Sequence, residues 1–267
     1  MNSIVLNSGL KVPRAPLKKL MMVTSTIATV LTLAVAPAKS EPREATVMLK
    51  ADTLIEISYA SVEGGKEDQL MGDYLPKIMP IVAKHGGKML GSFQVTAVTG
   101  GEITPQMVAL FEWPSMKARD QMHADKAAQK LFPIREDAMT LFKQAFYTVE
   151  NDTSMTISES KTYEFFNAWT TFAAKASLPA YFQMSEGPKQ KYGPPKFIAT
   201  LKPLENGPKG GYVLAPDMAG IVEWNNTAAY YGLMADPGFK LAAPLLSASV
   251  SRLDMVHTKF AFPVQQM

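Results

Sequence analysis

The chain has 267 residues, of which 47% are hydrophobic and 19% are charged. This composition is typical of a folded globular protein rather than of a disordered protein or an integral membrane protein. There is no cysteine, which excludes disulfides, thiolate metal sites, cysteine nucleophiles and covalent c-type haem. Residues 1–40 hold five basic side chains and no acidic one, so residues 41–267 hold 22 basic against 24 acidic side chains, a formal charge of −2. No basic stripe remains, and nucleic-acid binding is not expected.

Residues 1–40 have the layout of a secretory signal peptide. A basic segment at 11–19 precedes an apolar stretch at 20–36, and Ala38-Lys39-Ser40 gives a small-x-small cleavage pattern. The alternative is a transmembrane anchor, but the stretch contains hydroxyl residues and falls short of the roughly 20 apolar residues that a span needs. We expect a periplasmic or secreted protein with no stable membrane anchor after cleavage. A start at Met21 or Met22 would weaken that expectation.

Residues 41–150 predict one α+β unit, called copy one. The pattern predicts, in chain order, a strand at 54–60, a helix at 68–84, strands at 88–98 and 107–113, a short helix from 115 to about 122, a helix at 125–142 and a strand at 144–150. Pro76 and Pro80 are expected to bend or split the first helix. Ser115 is expected to cap the short one. The order β-α-β-β-α-β is that of a ferredoxin-like unit.

Residues 161–267 predict a second unit, copy two, after a polar linker at 151–160. Residues of copy one recur in copy two in the same order, at an offset of 111 downstream and 107 upstream. The matched residues are Glu112-Trp113 with Glu223-Trp224, Ala124-Asp125 with Ala235-Asp236, Pro133 with Pro244, and Tyr74 with Tyr181. The turn-rich segment 206–211 accounts for the change of offset, as expected of a loop insertion. The sequence therefore predicts a tandem duplication.

The duplication predicts how the two sheets are covered. The strand at 107–113 is almost entirely apolar, so both of its faces should be buried. Helices cover one face of each four-stranded sheet, and the equivalent face of the other copy can cover the second. We therefore expect an intramolecular pseudo-dimeric α+β barrel that closes within one chain, as a monomer or a higher homo-oligomer.

Several motifs of copy one resemble a known family. They are Tyr74-Leu75-Pro76, His85-Gly86-Gly87-Lys88, Phe111-Glu112-Trp113-Pro114-Ser115 and Leu131-Phe132-Pro133-Ile134-Arg135. In this order they resemble domain of unknown function 1330, of the dimeric α+β barrel superfamily, over residues 53–150. Trp113 replaces the usual Phe, and His123 stands where an aromatic residue is common. The resemblance implies a small-molecule pocket but no assigned activity, since superfamily relatives include monooxygenases, isomerases and haem enzymes.

Glu112 and Glu223 are candidates for chemistry because each lies near the end of an apolar strand. Alternation places Glu112 on the face opposite Phe111 and Trp113. A carboxylate there must be paired, hydrogen-bonded or exposed at a pocket mouth. It could serve as a general base or accept a substrate hydroxyl. The alternative is a structural carboxylate, with Arg135 as the partner of Glu112.

The three histidines have weaker signals. His123 could be a pocket acid or base, or an ordinary surface residue. His85 precedes a Gly-Gly pair and is expected to cap a helix. His257 is expected to pack on the last strand. No metal-ligand spacing is present, so neither a metal site nor a cofactor is expected, although a Soret band would reveal bound haem.

The polar candidates belong mainly to copy one. An offset of 111 pairs His123 with Met234, Arg135 with Leu246, Arg119 with Tyr230, and Asp120 with Tyr231. We therefore expect copy one to supply the polar parts of a site and copy two an apolar, aromatic wall. The expected catalytic residues are Glu112, His123 and Arg135. The expected ligand contacts are Trp113, Glu223, Trp224, Tyr74 and Tyr181.

The sequence favours an exported protein that binds a small, apolar or aromatic molecule. One alternative is a cofactor-independent monooxygenase or isomerase, which a closed polar cavity with the three catalytic candidates converging would favour. A second alternative is a structural or interaction module, which a filled barrel core would favour.

Overall fold

The computed structural model describes residues 41–205, 207–208 and 210–261. The predicted signal peptide, residues 1–40, lies outside the described residues. The strands are β1 (Glu44–Leu49), β2 (Leu54–Val62), β3 (Lys88–Gly100), β4 (Met107–Trp113), β5 (Met139–Thr148), β6 (Thr153–Ser158), β7 (Thr162–Thr170), β8 (Lys196–Pro203), β9 (Met218–Trp224) and β10 (Val250–Phe260). The helices are a π-helical turn (Gln69–Tyr74), α1 (Leu75–Lys84), α2 (Met116–Ala124), α3 (Lys126–Ala138), α4 (Ala174–Tyr192), α5 (Thr227–Ala235) and α6 (Pro237–Ser249).

Eight strands form a closed barrel in the order β10-β3-β4-β2-β5-β8-β9-β7, and the paired strands run antiparallel. Each copy contributes four consecutive strands of this ring, and its helices follow the β-α-β-β-α-β order with the last helix divided in two. The predicted fold is confirmed: two tandem ferredoxin-like units close one barrel within a single chain.

The two seams between the copies are unequal. At one seam, β10 pairs with β3 from Met255 to Phe260. At the other, β5 pairs with β8 only at Tyr147 and Thr148. The barrel is therefore joined by a long ladder on one side and by a short one on the other.

Where the short ladder between β5 and β8 ends, the segment between β8 and β9 forms backbone hydrogen bonds with β5 instead. The Gln144 N–H donates to the Tyr212 carbonyl at 2.9 Å, and the Leu214 N–H donates to the Gln144 carbonyl at 2.7 Å. This segment contains the insertion that the offsets predicted for copy two. Its described residues thus lie against β5 of copy one.

Most predicted elements are present, and one boundary was wrong. The first helix changes from π to α geometry between Tyr74 and Leu75, next to Pro76, as a split at proline predicts. The predicted helix at 125–142 ends at Ala138. Residues from Met139 onward instead pair with β2, because long-range ladder bonds outweigh the weak helical preference of this segment.

The barrel interior is filled by side chains. Tyr59, Phe93, Tyr147 and Phe165 are among its largest fully buried residues. The Tyr147 hydroxyl donates to the Asn167 amide oxygen, and burial raises the pKa of Tyr147 well above its ordinary value. The interior is therefore a packed core, which is the result expected of a structural or interaction module, and any binding site must lie outside the barrel.

The segment predicted as a linker, 151–160, contains strand β6, which pairs antiparallel with β1. Buried side chains of this two-stranded ribbon, among them Leu49 and Ile157, join the interior core of the barrel. The first barrel strand of each copy is thus preceded by one strand of the ribbon. Among the described residues, no helix is long and apolar enough to cross a membrane.

Candidate functional site

Two cavities lie outside the barrel, at equivalent places between sheet and helices. Cavity one belongs to copy one and has a volume of about 330 Å³. Cavity two belongs to copy two and has a volume of about 270 Å³. An offset of 111 relates seven residues that line cavity one to residues that line cavity two: His123 to Met234, Phe132 to Ala243, Arg135 to Leu246, Glu136 to Ser247, Met139 to Val250, Phe142 to Leu253, and Gln144 to Met255.

The equivalence follows from the secondary structure. Helices α2 and α5 begin and end at positions 111 apart, as do α3 and α6, and β5 and β10 begin 111 apart. Ser115 and Asn226 cap α2 and α5 by accepting hydrogen bonds from Ala118 and Ala229. The two backbones therefore present the same positions to the two cavities, and the side chains decide their chemistry.

Beneath the lining of cavity one lies a satisfied buried network around Glu56, here called the floor, which reaches the lining at Gln144. One oxygen of Glu56 accepts from Trp113 Nε1 at 3.1 Å and from Arg119 Nε at 3.5 Å. The other accepts from Ser58 Oγ at 3.0 Å and from the Gln144 amide. Arg119 also donates to Gln144 Oε1 at 2.9 Å. Charge and hydrogen-bonding capacity are largely matched inside the network, as a buried ion pair requires.

The wall of cavity one carries Arg135 and His123. The Arg135 guanidinium lies over the rings of Phe132 and Phe142, at 4.9 and 4.5 Å from their centroids. The His123 ring packs against Phe132 at 5.2 Å. Desolvation, together with the positive charges of Arg119 and Arg135, lowers the pKa of His123 to about 4, so its imidazole is neutral at pH 7.

Arg135 also affects the pKa of Tyr74, which lies on the π-helical turn. Burial raises the pKa of Tyr74, while the charge of Arg135 and a hydrogen bond with it oppose that rise. The ion pair that the described residues give Arg135 is with Glu136, at 3.6 Å. The Glu136 side chain is 68% exposed, so this pair neutralises little of the charge that Arg135 presents to the cavity.

The floor of cavity two is built around Glu164, which corresponds to Glu56. Both residues are buried and take the third position of the first barrel strand in their copies. His257, with no exposed surface, shares a hydrogen bond between Nε2 and Glu164 Oε2 at 3.1 Å. The second oxygen of Glu164 has no hydrogen bond within the described parts of the chain. This floor is therefore less completely satisfied than that of cavity one.

Two further buried atoms of this floor lack a partner among the described residues: Trp224 Nε1 and His257 Nδ1. In copy one the equivalent Trp113 Nε1 reaches Glu56. In copy two Glu164 is engaged by His257 instead, and the Tyr230 ring packs on the imidazole at 4.3 Å. A buried unpaired N–H costs about 1–3 kcal/mol, so an acceptor that reached Trp224 would be stabilised.

The walls of cavity two are apolar and aromatic. They come from α4, α5, α6 and the outer faces of β7, β9 and β10. Tyr181 and Trp224, which the sequence predicted to contact a ligand, lie in this lining. Besides Glu164, the charged residue in the lining is Lys189, whose ammonium lies near the rings of Tyr181 and Phe182.

The structure separates Glu112 from the other two predicted catalytic residues. Trp113 packs in the outer core of copy one, whereas the preceding Leu110 belongs to the barrel interior. Alternation therefore turns Glu112 away from the outer face on which His123 and Arg135 line cavity one. The predicted Glu112–Arg135 pair does not form, and Arg135 pairs with Glu136.

Glu223 has the same inward position in copy two and lies 3.8 Å from Lys196, a structural ion pair of the kind considered for both glutamates. Trp113, a predicted ligand contact, is fully committed to packing and to Glu56. Tyr74 lies beside Arg135. Of the predicted residues, the structure thus brings together His123, Arg135 and Tyr74 in copy one, and Tyr181 with Trp224 in copy two.

His85 links the end of α1 to the start of α3. Its Nε2 lies 3.0 Å from Asp125 Oδ2, and Asp125 caps α3 through Ala127. In copy two Tyr192 donates to Asp236 Oδ2 at 3.1 Å. The two copies hold the same joint with different side chains, which is consistent with a structural role.

Glu56 and Glu164 were missed in the sequence, although a signal for them exists. Each is a carboxylate inside an otherwise apolar first strand, and they are 108 positions apart, between the offsets of 107 and 111. Extending the repeat alignment upstream pairs them only with a further shift of one residue, because the offset of 107 pairs Glu56 with Tyr163. Within the described ranges, no group of three or more His, Asp or Glu residues could hold a metal ion.

Residues 60–149 match the sequence model of a family described as Domain of unknown function (DUF1330). The match lies within copy one and covers most of it. No curated protein matches the chain.

Solved structures share the fold over most of the chain. An anthrone oxidase-like protein is 15% identical, with 80% of this chain and 94% of that chain covered and a TM-score of 0.51. A mutant chlorite dismutase from Candidatus Nitrospira defluvii is 7% identical, with 80% and 92% covered and a TM-score of 0.51. A candidate monooxygenase from Lactobacillus acidophilus NCFM is 13% identical, with 78% and 94% covered and a TM-score of 0.40. The first two similarities show an α+β barrel fold alone, because both identities are low.

Proposed function

We propose that the chain binds a small, mainly apolar or aromatic molecule in cavity two. The observation that carries this proposal is an apolar and aromatic lining that converges on one incompletely hydrogen-bonded carboxylate, Glu164. Binding sites for small molecules typically combine apolar walls with a few placed polar groups. In copy one the equivalent carboxylate, Glu56, is fully engaged by its neighbours and has no oxygen left for a ligand.

The polar atoms of the floor define the ligand further. The uncommitted oxygen of Glu164 accepts a hydrogen bond, so it suits a hydroxyl group. Trp224 Nε1 donates, so it suits a carbonyl or ether oxygen. His257 fixes the orientation of Glu164 from behind. We therefore infer a ligand with an aromatic or polycyclic body that carries a hydroxyl and an oxygen acceptor at one end.

Filling the cavity tests the proposal. The mature chain, residues 41–267, would be titrated with the neutral fluorescent probe N-phenyl-1-naphthylamine. The variant Ala243→Phe places in cavity two the side chain that Phe132 has in cavity one. The control is Ala248→Phe, the same change at an exposed position of the same helix. We expect Ala243→Phe to abolish probe binding and the control to retain it.

Unchanged probe binding in a folded Ala243→Phe protein would overturn the assignment to cavity two. Native mass spectrometry of protein purified from its own host would then identify a co-purified ligand. A hydroxylated ligand should lose affinity about tenfold or more in Glu164→Gln if it donates to that carboxylate. An apolar probe without a hydroxyl should be nearly unaffected by that change.

A second candidate is an enzyme that removes a proton from its bound ligand. Glu164 favours it, because a carboxylate held by a buried histidine in an apolar cavity can act as a general base. Incubation of a cyclic ketone with the protein in deuterated water would test this by mass spectrometry. Deuterium uptake at the acidic C–H that disappears in Glu164→Gln would support the enzyme, and uptake equal to the protein-free rate would oppose it.

Two further features remain proposals. We infer that residues 1–40 are removed on export to the periplasm or outside the cell, and a mature protein beginning at Glu41 would support this. We also infer that copy two is a diverged second copy of the same family, and that the closed barrel makes a monomer sufficient. A homodimer as the smallest species in native mass spectrometry would contradict the inference that a monomer is sufficient.

A further inference from the structure

We propose that cavity one is a second binding site, which takes a small molecule with a carboxylate attached to an aromatic or apolar body. The proposal is separate from the one made for cavity two. The two cavities share no lining residue, so either assignment can fail without the other.

The charge of cavity one favours an anion. Arg119 and Glu56 compensate each other in the floor, at 3.5 Å. Arg135 adds a second positive charge in the wall, and its partner Glu136 is mainly solvated. Glu136 also lines the cavity, but its side chain is 68% exposed whereas that of Arg135 is 13% exposed, so the positive charge of Arg135 is the less screened of the two.

The donors suit a carboxylate. The Arg135 guanidinium lies over the rings of Phe132 and Phe142, and a guanidinium can donate two parallel hydrogen bonds to a carboxylate. His123 lines the same cavity, and its imidazole makes no hydrogen bond to another side chain within the described part of the chain. A neutral imidazole can donate one N–H to the same anion.

The walls suit an apolar or aromatic body. Phe132, Met139 and Phe142 face the cavity, and Tyr212 lies beside Phe142 with ring centroids 6.4 Å apart. Tyr212 comes from the segment of copy two that replaces β8 at the short seam. No residue of the corresponding copy-one segment, 101–106, lines cavity two, so among the described residues this cover is particular to cavity one.

Copy two supplies the natural comparison. Met234 and Leu246 take the places of His123 and Arg135, and neither can bind a carboxylate. Replacing Arg135 by Leu and His123 by Met therefore converts the wall of cavity one to the chemistry of cavity two. The backbone at these positions already accommodates those side chains in copy two.

The experiment is isothermal titration of the mature chain with benzoate, benzamide and acetate at low salt. We expect benzoate to bind more tightly than its neutral isostere benzamide, and more tightly than acetate, which lacks the ring. Arg135→Leu should weaken benzoate about tenfold or more, and His123→Met should weaken it less. Lys130→Leu is the control, since it removes one positive charge from an exposed position of the same helix.

Two results would overturn the proposal: equal affinity for benzamide and benzoate, or the same loss of benzoate affinity in Lys130→Leu as in Arg135→Leu. No benzoate binding at about 10 mM, weaker than almost any specific site, would overturn it as well. If Arg135→Leu fails to fold, Arg135→Gln removes the charge with less change in volume and should show the same loss. Probe binding in cavity two should be unchanged throughout.

Discussion

Cavity one and cavity two occupy equivalent places on equivalent backbones, yet their carboxylates are used differently. In copy one, Glu56 is neutralised by Arg119 and saturated by its neighbours. In copy two, Tyr230 replaces Arg119, and Glu164 shares one oxygen with His257. The comparison teaches that one scaffold can keep a carboxylate as part of its core in one copy and leave it available to a ligand in the other.

The largest expected effect is a loss of unfolding free energy when the buried Glu56 network of cavity one is disrupted. Glu56→Leu leaves the buried Arg119 without its counter-charge, and removing one partner of a buried ion pair costs about 3–5 kcal/mol of unfolding free energy. Glu164→Leu takes no counter-charge from an arginine and leaves the Nε2 of His257 without its partner, for which about 1–3 kcal/mol is expected. Urea denaturation of both variants measures the difference.

The pair of variants is its own control, because the same substitution is made at equivalent positions. If Glu164→Leu were the more destabilising of the two, Glu164 rather than Glu56 would be the structural carboxylate. The assignment of cavity two as the binding site would then lose its basis.

The second effect concerns the wall of cavity one and depends on pH. Folded His123 has a pKa of about 4, below its ordinary value of 6.5. Between these values the unfolded chain binds a proton that the folded chain does not, so stability falls as the pH drops from about 7 to about 4. Because the ring is half-buried, screening limits this loss to about 1 kcal/mol.

His123→Met installs the residue of copy two and should remove that part of the pH dependence. Denaturation at pH 7, 5.5 and 4 checks the slope. His85→Tyr, which likewise installs the copy-two residue, is the control for a change of histidine elsewhere. An unchanged slope in His123→Met would show that the imidazole is solvated and does not face a positively charged cavity.

The smallest effect concerns a feature that the copies share. Hydrogen bonds from Lys84 and His85 lower the pKa of Asp125, and one from Lys191 is the main cause that lowers the pKa of Asp236 to about 2. Each carboxylate thus stabilises the fold above its ordinary pKa of 3.8, and this stability is lost as the pH falls toward the folded pKa.

Asp125→Asn and Asp236→Asn should each lower Tm by about 1–4 °C at pH 7, with the difference from wild type shrinking below about pH 4. Thermal melts monitored by circular dichroism measure both. A large effect in one copy and none in the other would show that the joints are not equivalent, and would weaken the pairing of residues on which the comparison of cavities depends.

Local and repeated features could be predicted from the sequence. Strand Met107–Trp113 was predicted with its observed bounds because it is an almost entirely apolar run that Pro114 ends. The barrel followed from two such units that each needed a cover for the second sheet face. The pairing of His123 with Met234 and of Arg135 with Leu246 followed from a fixed offset and matches the lining of the two cavities.

The sequence by itself thus determined the two-unit barrel and the polar character of copy one, since periodicity and repetition are local properties of a chain. Only the tertiary structure decided that the two cavities lie outside a filled barrel, and that Glu112 faces away from both. It also decided that Glu56 and Glu164 form the floors. Hydrogen-bond partners such as Glu56 and Gln144, or Glu164 and His257, are about 90 residues apart in the chain, and only strand pairing brings them together.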